Sequence, residues 1–361
     1  MKLLLLGDVC PTQETSLLFH NVQVDELFGD VRSLFETSDF SFVNLECTLT
    51  ESNNEIKKFG PVLRAPKNTA RTLKELGVDC CGLSNNHIFD CGIEGVRDTL
   101  KALDTVGLQY TGFGADYNDS RRDYIIDRNG ERIALIAVCE HEYSYALEDR
   151  MGSRPYDVYD TMADIRNAKA QNDKVVVIYH GGKEYCRYPS PRVRKLCRAM
   201  VDNGADVVLC QHSHCIATYE NYRNAHILHG QGNFNFVKSD VVFDGWHSCL
   251  ATIYDTLTNE INFVPIVCNQ HGVQLAKGDV AELLMAAFES RNQELQNGNW
   301  KHGWHSFCEE YSKPYMAAIK NACLENSTEE QNALFAHYLD CEAHTDVWRE
   351  LFPTYNQTNE K

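Results

Sequence analysis

The chain has 361 residues, which favours one large domain with an appendage, or two domains, over a single small core. Its 43% hydrophobic and 24% charged residues are typical of a globular protein. The formal net charge of −17, from 34 Lys and Arg against 51 Asp and Glu, argues against broad electrostatic binding of nucleic acid or anionic lipid.

Strand and helix patterns alternate along the first part of the chain. Short apolar runs predict strands at residues 2–6, 40–44, 78–83, 174–179 and 206–210. Helical spacing of apolar residues predicts helices at residues 24–36, 68–76, 93–106, 161–171 and 193–203. Asn129-Gly130 between two apolar runs predicts a hairpin, and residues 216–267 are rich in strand patterns. This order predicts an α/β fold with two packed sheets and helices outside.

The pattern becomes helical after about residue 277 and stays so to about residue 351. We therefore predict a main domain over residues 1–270 and an all-helical C-terminal extension over residues 277–355, with residues 356–361 frayed. The extension is expected either to pack on the main domain or to form a homo-oligomer. Its local cluster of aromatic and His residues predicts packing and not a second metal site: Trp300, His302, Trp304 and His305.

The cysteines and the N-terminal residues predict a cellular compartment. Fifteen cysteines are scattered along the chain without a CxxC pair, which is typical of reduced, buried thiols in the cytosol. The apolar run from Leu3 to Leu6 is far shorter than a membrane span. We expect a cytoplasmic protein with no membrane span.

Polar motifs follow several of the predicted strands. Oxygen and imidazole side chains from several strand ends are the ligands with which an α/β fold builds a divalent-metal site. The pattern therefore predicts such a site. The six motifs are Gly7-Asp8-Val9, Asn44-Leu45-Glu46, Asn85-Asn86-His87-Ile88-Phe89-Asp90, His180-Gly181-Gly182-Lys183-Glu184, His212-Ser213-His214 and Gly232-Asn233-Phe234.

Residue chemistry suggests roles within these motifs. His212 and His214, two residues apart in an extended segment, would point the same way and reach one metal cluster. His87 has an ordinary pKa near neutrality, which suits proton transfer. Asp90 either orients His87 or caps the following helix, and Glu184 is either a base or a salt-bridge partner.

Taken in order, the six motifs resemble those of the bacterial capsule-synthesis CapA family, also called poly-γ-glutamate synthesis proteins, over about residues 1–267. That family is similar to the calcineurin-like metallophosphoesterases. The resemblance implies a four-layer αββα sandwich with two divalent ions of the Mn, Fe or Zn class. It also implies that His87 acts on the substrate. The implied metal ligands are Asp8, Glu46, Asn86, His180, His212 and His214, and the implied supporting residues are Cys10, Asn44, Asn85 and Asn233.

The chain departs from the family pattern at three points. Cys10 stands where the wider phosphoesterases have a His ligand, which predicts that one metal site is weakened. Gly181 stands where the capsule family usually has Trp. The N-terminal membrane anchor that many members carry is not predicted here.

Three functions are compatible with these residues. The first is a metal-dependent hydrolase of a phosphoester or of a γ-glutamyl or other acyl bond, linked to capsule, exopolysaccharide or poly-γ-glutamate metabolism. Its substrate would be a small molecule, a peptide or a polymer. The second is a peptide epimerase that uses His87, Asp90, Glu184 and Cys10 as acids and bases. The third is a non-catalytic assembly protein.

Overall fold

The strands of the protein form two main mixed sheets, and the computed structural model describes residues 1–140 and 142–352. The strands are β1 (Lys2–Val9), β2 (Phe40–Leu45), β3 (Thr48–Leu49), β4 (Arg64–Ala65), β5 (Cys80–Gly82), β6 (Gln109–Thr111), β7 (Phe113–Gly114), β8 (Tyr124–Arg128), β9 (Glu131–Cys139), β10 (Gly152–Ser153), β11 (Lys174–His180), β12 (Val207–Gln211), β13 (Tyr219–Tyr222), β14 (Ala225–Leu228), β15 (Asn233–Asn235), β16 (Ser248–Asp255), β17 (Glu260–Cys268) and β18 (Val273–Leu275). The helices are α1 (Ser16–His20), α2 (Val24–Phe28), α3 (Arg32–Glu36), α4 (Thr69–Leu76), α5 (Gly92–Val106), α6 (Tyr117–Ser120), α7 (Val158–Gln171), α8 (Pro191–Asp202), α9 (Gly278–Asn297), α10 (Trp300–Ala322), α11 (Glu329–Asp340) and α12 (Glu342–Leu351).

Parallel strands form the centre of both sheets. The first sheet has the order β18-β17-β16-β1-β2-β5-β6, and β15 also pairs with β1. The second sheet has the order β13-β14-β12-β11-β9-β8. Strands β1, β2, β5 and β6 are parallel, as are β9, β11, β12 and β14. Their carboxyl ends therefore bring the residues that follow them to one edge of each sheet.

The two sheets pack face to face, with helices on both outer faces. In β1, Leu3 and Leu5 join the core between the sheets, whereas Leu4 and Leu6 pack towards α1 to α5. On the second sheet, Val175 and Val177 of β11 pack against α7 and α8. This is the four-layer αββα sandwich, and the predicted fold class is confirmed.

The predicted helix over residues 24–36 is interrupted. Gly29 has φ +44°, and a 3-10 turn over Gly29–Val31 separates α2 from α3. The Asp30 carboxylate accepts a hydrogen bond from the Leu275 backbone N–H at 2.9 Å and pairs with Lys277. A tertiary contact with the edge strand β18 therefore decides the break. The predicted hairpin is present, with positive φ at Asn129 and Gly130.

The C-terminal extension is helical, as predicted, in the part that the structure describes. Phe288 of α9 joins the core between the sheets, and Trp304, Tyr315 and Val347 form a separate core among the later helices. Asp346 of α12 accepts hydrogen bonds from Ser190 at 2.6 Å and from Arg192 at 2.8 Å. The domain boundary at residue 270 stays a prediction, and residues 356–361 lie outside the described residues.

Helix length and hydropathy bear on the membrane prediction. Among the described residues, no helix is both long enough and apolar enough to cross a bilayer.

Candidate metal centre

The six predicted metal ligands lie where strands of both sheets end. The first sheet supplies the oxygen donors, because Asp8 lies near the end of β1, Glu46 follows β2 and Asn86 follows β5. The second sheet supplies the imidazoles from β11 and the loop after β12. All six side chains are buried. The face-to-face packing of the sheets therefore brings Asp8 close to His212 and His214, which are more than 200 positions further along the chain.

Four of these residues form what we call the amide cluster: Glu46, Asn86, His180 and His212. Glu46, His180 and His212 each offer a ligand atom within 4.8 Å of the others. The Asn86 Oδ1 atom lies 3.0 Å from His180 Nε2. Burial lowers the pKa of His180, and burial together with nearby His180 lowers the pKa of His212 well below its usual range. Both imidazoles are thus neutral, which is the form that binds a metal ion.

The remaining ligands form what we call the carboxylate cluster: Asp8, Glu46 and His214. They also offer ligand atoms within 4.8 Å of one another. Glu46 belongs to both clusters, so its carboxylate would be available to each ion if both clusters held one. A shared carboxylate is a common feature of two-metal sites because it neutralises part of the charge of both ions.

The surroundings of the Glu46 carboxylate indicate whether this site fits a cation. Glu46 is fully buried, and neither of its oxygens has a hydrogen-bond partner among the described residues. Burial, followed by the nearby Asp8 carboxylate, raises the pKa of Glu46 well above its usual range. A buried acid without a donor is costly unless a cation balances it. The donor set therefore fits divalent ions.

Three asparagines support the ligands. Asn44 Nδ2 donates to Asp8 Oδ1 at 2.8 Å, and Asn85 Nδ2 donates to Asn44 Oδ1 at 3.1 Å. Asn233 Oδ1 lies 2.9 Å from His214 Nδ1, which leaves Nε2 of that imidazole as the ligand atom. These contacts orient the ligand side chains. All three asparagines lie around the clusters.

The backbone of the His-Ser-His segment differs from the expected one. The segment follows β12, and His212 and His214 have φ values of +83° and +53°. Strand alternation is therefore the wrong reason for their common direction. Two non-glycine residues in the left-handed region carry a conformational cost, and such strain is concentrated at functional sites.

His87 belongs to a buried ionic triad with Asp90 and Lys58. Asp90 Oδ2 lies 2.7 Å from His87 Nδ1, and Asp90 Oδ1 pairs with Lys58 Nζ at 2.5 Å. Lys58 Nζ also lies 3.1 Å from His87 Nδ1, and the Nε2 atom of His87 has no hydrogen-bond partner among the described residues. Burial, followed by the charge of Lys58, lowers the pKa of His87 to about 4. Asp90 does not cap α5, whose N-cap is Cys91, and its Oδ2 atom also accepts a hydrogen bond from the Leu63 N–H at 2.7 Å.

Glu142 and Glu184 border the clusters. Glu142 Oε2 accepts a hydrogen bond from Asn86 Nδ2 at 2.8 Å, which turns Asn86 Oδ1 towards His180. Burial, followed by the charge of Glu184, raises the pKa of Glu142 to about 7. The Oε1 atom of Glu184 lies 3.9 Å from His214 Nε2. The pattern singled out Glu184 but missed Glu142, which lies in a loop without a recognisable motif.

A cavity of about 120 Å³ separates the clusters from the C-terminal helices. We call its two walls the sandwich side and the helical side. The sandwich side includes Asn86, His87, Glu142, Glu184 and His212, and the helical side consists of His337, Cys341, Ala343 and His344. The sequence had no signal for the helical side because these residues meet the site only through the packing of α11 and α12.

Comparison with known proteins places this site in a family. Residues 2–238 match the family described as bacterial capsule synthesis protein PGA_cap. The chain belongs to this family. The resemblance that the six motifs indicated is confirmed.

Two relatives of this chain carry capsule-related names. The chain is 29% identical to capsule biosynthesis protein CapA of Bacillus anthracis over 245 residues, which are 65% of this chain and 60% of that protein. It is 29% identical to PGA biosynthesis protein CapA of Bacillus subtilis (strain 168) over 235 residues, 64% and 62% of the two chains. A solved structure of a hypothetical protein from Thermus thermophilus is similar to 77% of this chain and 100% of its own, with 13% identity and a TM-score of 0.47. The chain spans about three fifths of the length of the two Bacillus relatives.

The structure explains one departure from the PGA_cap pattern. A Cβ atom at Gly181 would lie 2.6 Å from the Cγ atom of Glu140. Glu140 accepts a hydrogen bond from the Gly182 N–H at 2.7 Å and pairs with Arg192. The Glu140 side chain therefore fills the space beside residue 181, and a Trp cannot fit there.

The structure also places Cys10, which stands where the wider phosphoesterases have a His ligand. Its thiol is buried, lies 3.8 Å from the Pro11 carbonyl oxygen and contacts Cys47. Burial raises the pKa of the Cys10 thiol well above its usual range. Among the described residues, no metal-ligand group includes it. Cys10 is therefore not brought to the site, and the weakening of one metal site stays a prediction.

The helical side of the cavity lies beyond the family match. The match ends at residue 238, whereas the helical side begins at His337. The residues of the sandwich side named above lie within the matched range.

Proposed function

We propose that this protein is a metal-dependent hydrolase of the PGA_cap family that holds two divalent ions. The observation that carries the proposal is the Glu46 carboxylate, which is buried, shared by both clusters and without a hydrogen-bond donor among the described residues. The amide cluster would hold one ion and the carboxylate cluster the other. When bound, two such ions activate water and polarise a phosphoryl or acyl oxygen.

His87 would act on the reacting bond. It lines the cavity, and Asp90 holds its Nδ1 proton, so Nε2 is the atom that accepts or delivers a proton. Lys58 contacts both members of this pair, because its Nζ atom lies 2.5 Å from Asp90 Oδ1 and 3.1 Å from His87 Nδ1. The chain thus positions the imidazole through a carboxylate, as in other acid–base pairs.

The shape of the pocket favours an elongated substrate. The small cavity shares Lys58, Phe59 and His337 with a groove of about 1290 Å³ along α11. A peptide or polymer lying in the groove would place only an end group beside His87. This supports hydrolysis near a chain end.

The biological assignment follows from the relatives. Two are named for capsule or PGA biosynthesis, and one is named a probable polyglutamine synthesis accessory protein of Mycobacterium tuberculosis. We infer that the substrate belongs to capsule, exopolysaccharide or poly-γ-glutamate metabolism. A cytoplasmic location is supported by fifteen free cysteines.

The test is metal content followed by a hydrolase screen. Untagged protein is reconstituted with Mn²⁺, its ions are counted by plasma mass spectrometry, and it is assayed on p-nitrophenyl phosphate, its diester and γ-glutamyl p-nitroanilide. We expect about two ions and turnover of one substrate class. His212→Ala should lose metal, whereas His87→Ala should keep metal and lose turnover. Bound metal without turnover of any substrate would sink the hydrolase assignment.

A second function is favoured by one observation. His87, Glu142 and Glu184 converge on one small cavity from different loops, as two-sided proton transfer at a peptide Cα requires. Cys10, which was also considered for this role, lies outside the cavity. Deuterium uptake at a peptide Cα would support epimerisation. If neither exchange nor hydrolysis is observed, an assembly role remains.

A further inference from the structure

The carboxylate cluster has fewer donors than the amide cluster. The amide cluster offers Glu46, Asn86, His180 and His212, whereas the carboxylate cluster offers three residues. Divalent ions of the Mn, Fe and Zn class take at least four ligands. Cys10 cannot be the fourth, because its thiol faces Cys47 and the Pro11 carbonyl oxygen.

Glu184 has a carboxylate at the right distance. Its Oε1 atom lies 3.9 Å from His214 Nε2, and Glu46 Oε1 lies 4.0 Å from the same nitrogen. Two ligands bound at about 2.1 Å to one ion lie at most about 4.2 Å apart. Each carboxylate therefore lies within reach of an ion bound to His214 Nε2. Among the described residues, the ligand atoms that lie within 4.8 Å of one another here are those of Asp8, Glu46 and His214, so Glu184 would turn towards them to complete the set.

The backbone holds Glu184 beside the histidines. The Tyr185 N–H donates to the Ser213 carbonyl oxygen at 2.9 Å, which joins the Glu184 loop to the segment between His212 and His214. The Glu184 side chain is 35% exposed and accepts no hydrogen bond from the described residues. Its carboxylate is thus free to turn towards an ion.

We propose that Glu184 is the fourth ligand of the ion held by Asp8, Glu46 and His214, in place of the imidazole that the wider phosphoesterases carry at the position of Cys10. This inference rests on the proposed metal centre. It replaces both earlier roles of Glu184, as a base and as a salt-bridge partner, with a metal-binding one.

The experiment counts ions in matched variants. Glu184→Gln removes a carboxylate from the cavity, and Glu330→Gln makes the same change in the adjoining groove, away from the clusters. After Mn²⁺ loading and gel filtration, we expect about two ions in the wild type and in Glu330→Gln, and about one in Glu184→Gln. Circular dichroism of the metal-free proteins checks that each variant is folded, and Glu184→Ala repeats the test without an amide oxygen.

Double variants show which ion is lost. If Glu184 and His214 hold the same ion, Glu184→Gln/His214→Ala keeps about one ion, whereas Glu184→Gln/His212→Ala keeps none. Two ions bound to Glu184→Gln with wild-type affinity would overturn the inference alone, as would equal loss in Glu330→Gln. No ion in the wild type would overturn the metal centre and this inference with it.

Discussion

The two sides of the cavity differ in how their polar atoms are satisfied. On the sandwich side, both oxygens of Glu46 and the Nδ1 atom of His212 are buried without partners among the described residues. On the helical side, His344 Nε2 contacts His337 Nε2 at 3.1 Å, and Tyr315 and Tyr143 contact the outer nitrogens of the pair. The sandwich side thus holds buried polar atoms without partners among the described residues, whereas the two half-buried imidazoles of the helical side are paired.

This difference separates ligands from packing residues. Buried polar atoms in folded proteins almost always have partners, so an unsatisfied cluster indicates that a group from outside completes it. The paired histidines of the helical side need no such group. We infer that the helical side shapes the cavity and that the sandwich side performs the chemistry.

The largest expected effect tests the chemistry directly. His87→Ala should lower hydrolysis about 10²- to 10⁴-fold, the usual contribution of a positioned acid or base. His337→Ala on the helical side should lower it less than about tenfold. Steady-state rates and metal content of both variants check this. Equal losses of rate would erase the distinction between the two sides.

Removing the partner of Lys58 should destabilise the sandwich side. Asp90→Asn leaves a Lys side chain that is 2% exposed without its carboxylate, which costs about 3–5 kcal/mol in the free energy of unfolding. Urea unfolding measures this cost.

Asp346→Asn is the matched change below the helical side. It should cost less, because Arg192 keeps its pairing with Glu140. The double variant Lys58→Met/Asp90→Asn also removes the buried cation, and it should recover much of the stability that Asp90→Asn loses. A double variant as unstable as Asp90→Asn would show that the uncompensated charge is not the cause.

Glu46→Gln should be more stable than the wild type without metal and less stable than the wild type with metal. In the metal-free protein it removes a buried acid and adds an amide that can donate to the nearby Asp8 carboxylate, so Tm should rise. With Mn²⁺ present, the variant should lack the stabilisation of about 2.7–4.1 kcal/mol that an ion supplies at 100 to 1,000 times its Kd. Thermal unfolding with and without Mn²⁺ measures both. An equal metal-induced rise in Tm in both proteins would contradict the bridging role.

The smallest expected effect is a pH dependence of the helical side. Burial lowers the pKa of His337 to about 4 and that of His344 to about 2. The unfolded chain therefore binds more protons below about pH 6.5, and stability is lost as the pH falls from there towards 4. Fluorescence reports this region, because three of the four tryptophans lie in α10 and α12: Trp300, Trp304 and Trp348.

We expect the tryptophan emission to change at a higher pH than the circular dichroism of the sandwich. His344→Gln should move the fluorescence midpoint to lower pH. Coincident transitions in the wild type and no shift in the variant would show that these imidazoles do not control the helical side.

The predictable part of this protein follows from local pattern. Apolar strands ending in Asp8, Glu46, Asn86 and His180 indicated both the sandwich and the ligands, because strand ends share an edge. The interruption of the helix predicted over residues 24–36 was not foreseen. It occurs where Asp30 accepts a hydrogen bond from Leu275, in a strand far along the chain. No local pattern carries such a contact.

Loop residues were the hardest to predict. No motif singled out Lys58, which follows Lys57, yet its side chain is buried against Asp90. Glu142 and Glu140 gain their partners only when the loop after β9 folds over Asn86 and Gly181. Their roles depend on burial and charge, which sequence spacing does not specify.

The sequence by itself indicated the fold class through its strand periodicity. Its strand-end motifs, through their resemblance to a known family, indicated that family and the six predicted ligands. Only the tertiary structure decided which donors are satisfied. It showed that Cys10 turns away, that Glu184 reaches His214, and that His337 and His344 close the cavity. Hydrogen-bond satisfaction and burial arise from the packing of distant segments, and so they appear only when the chain is folded.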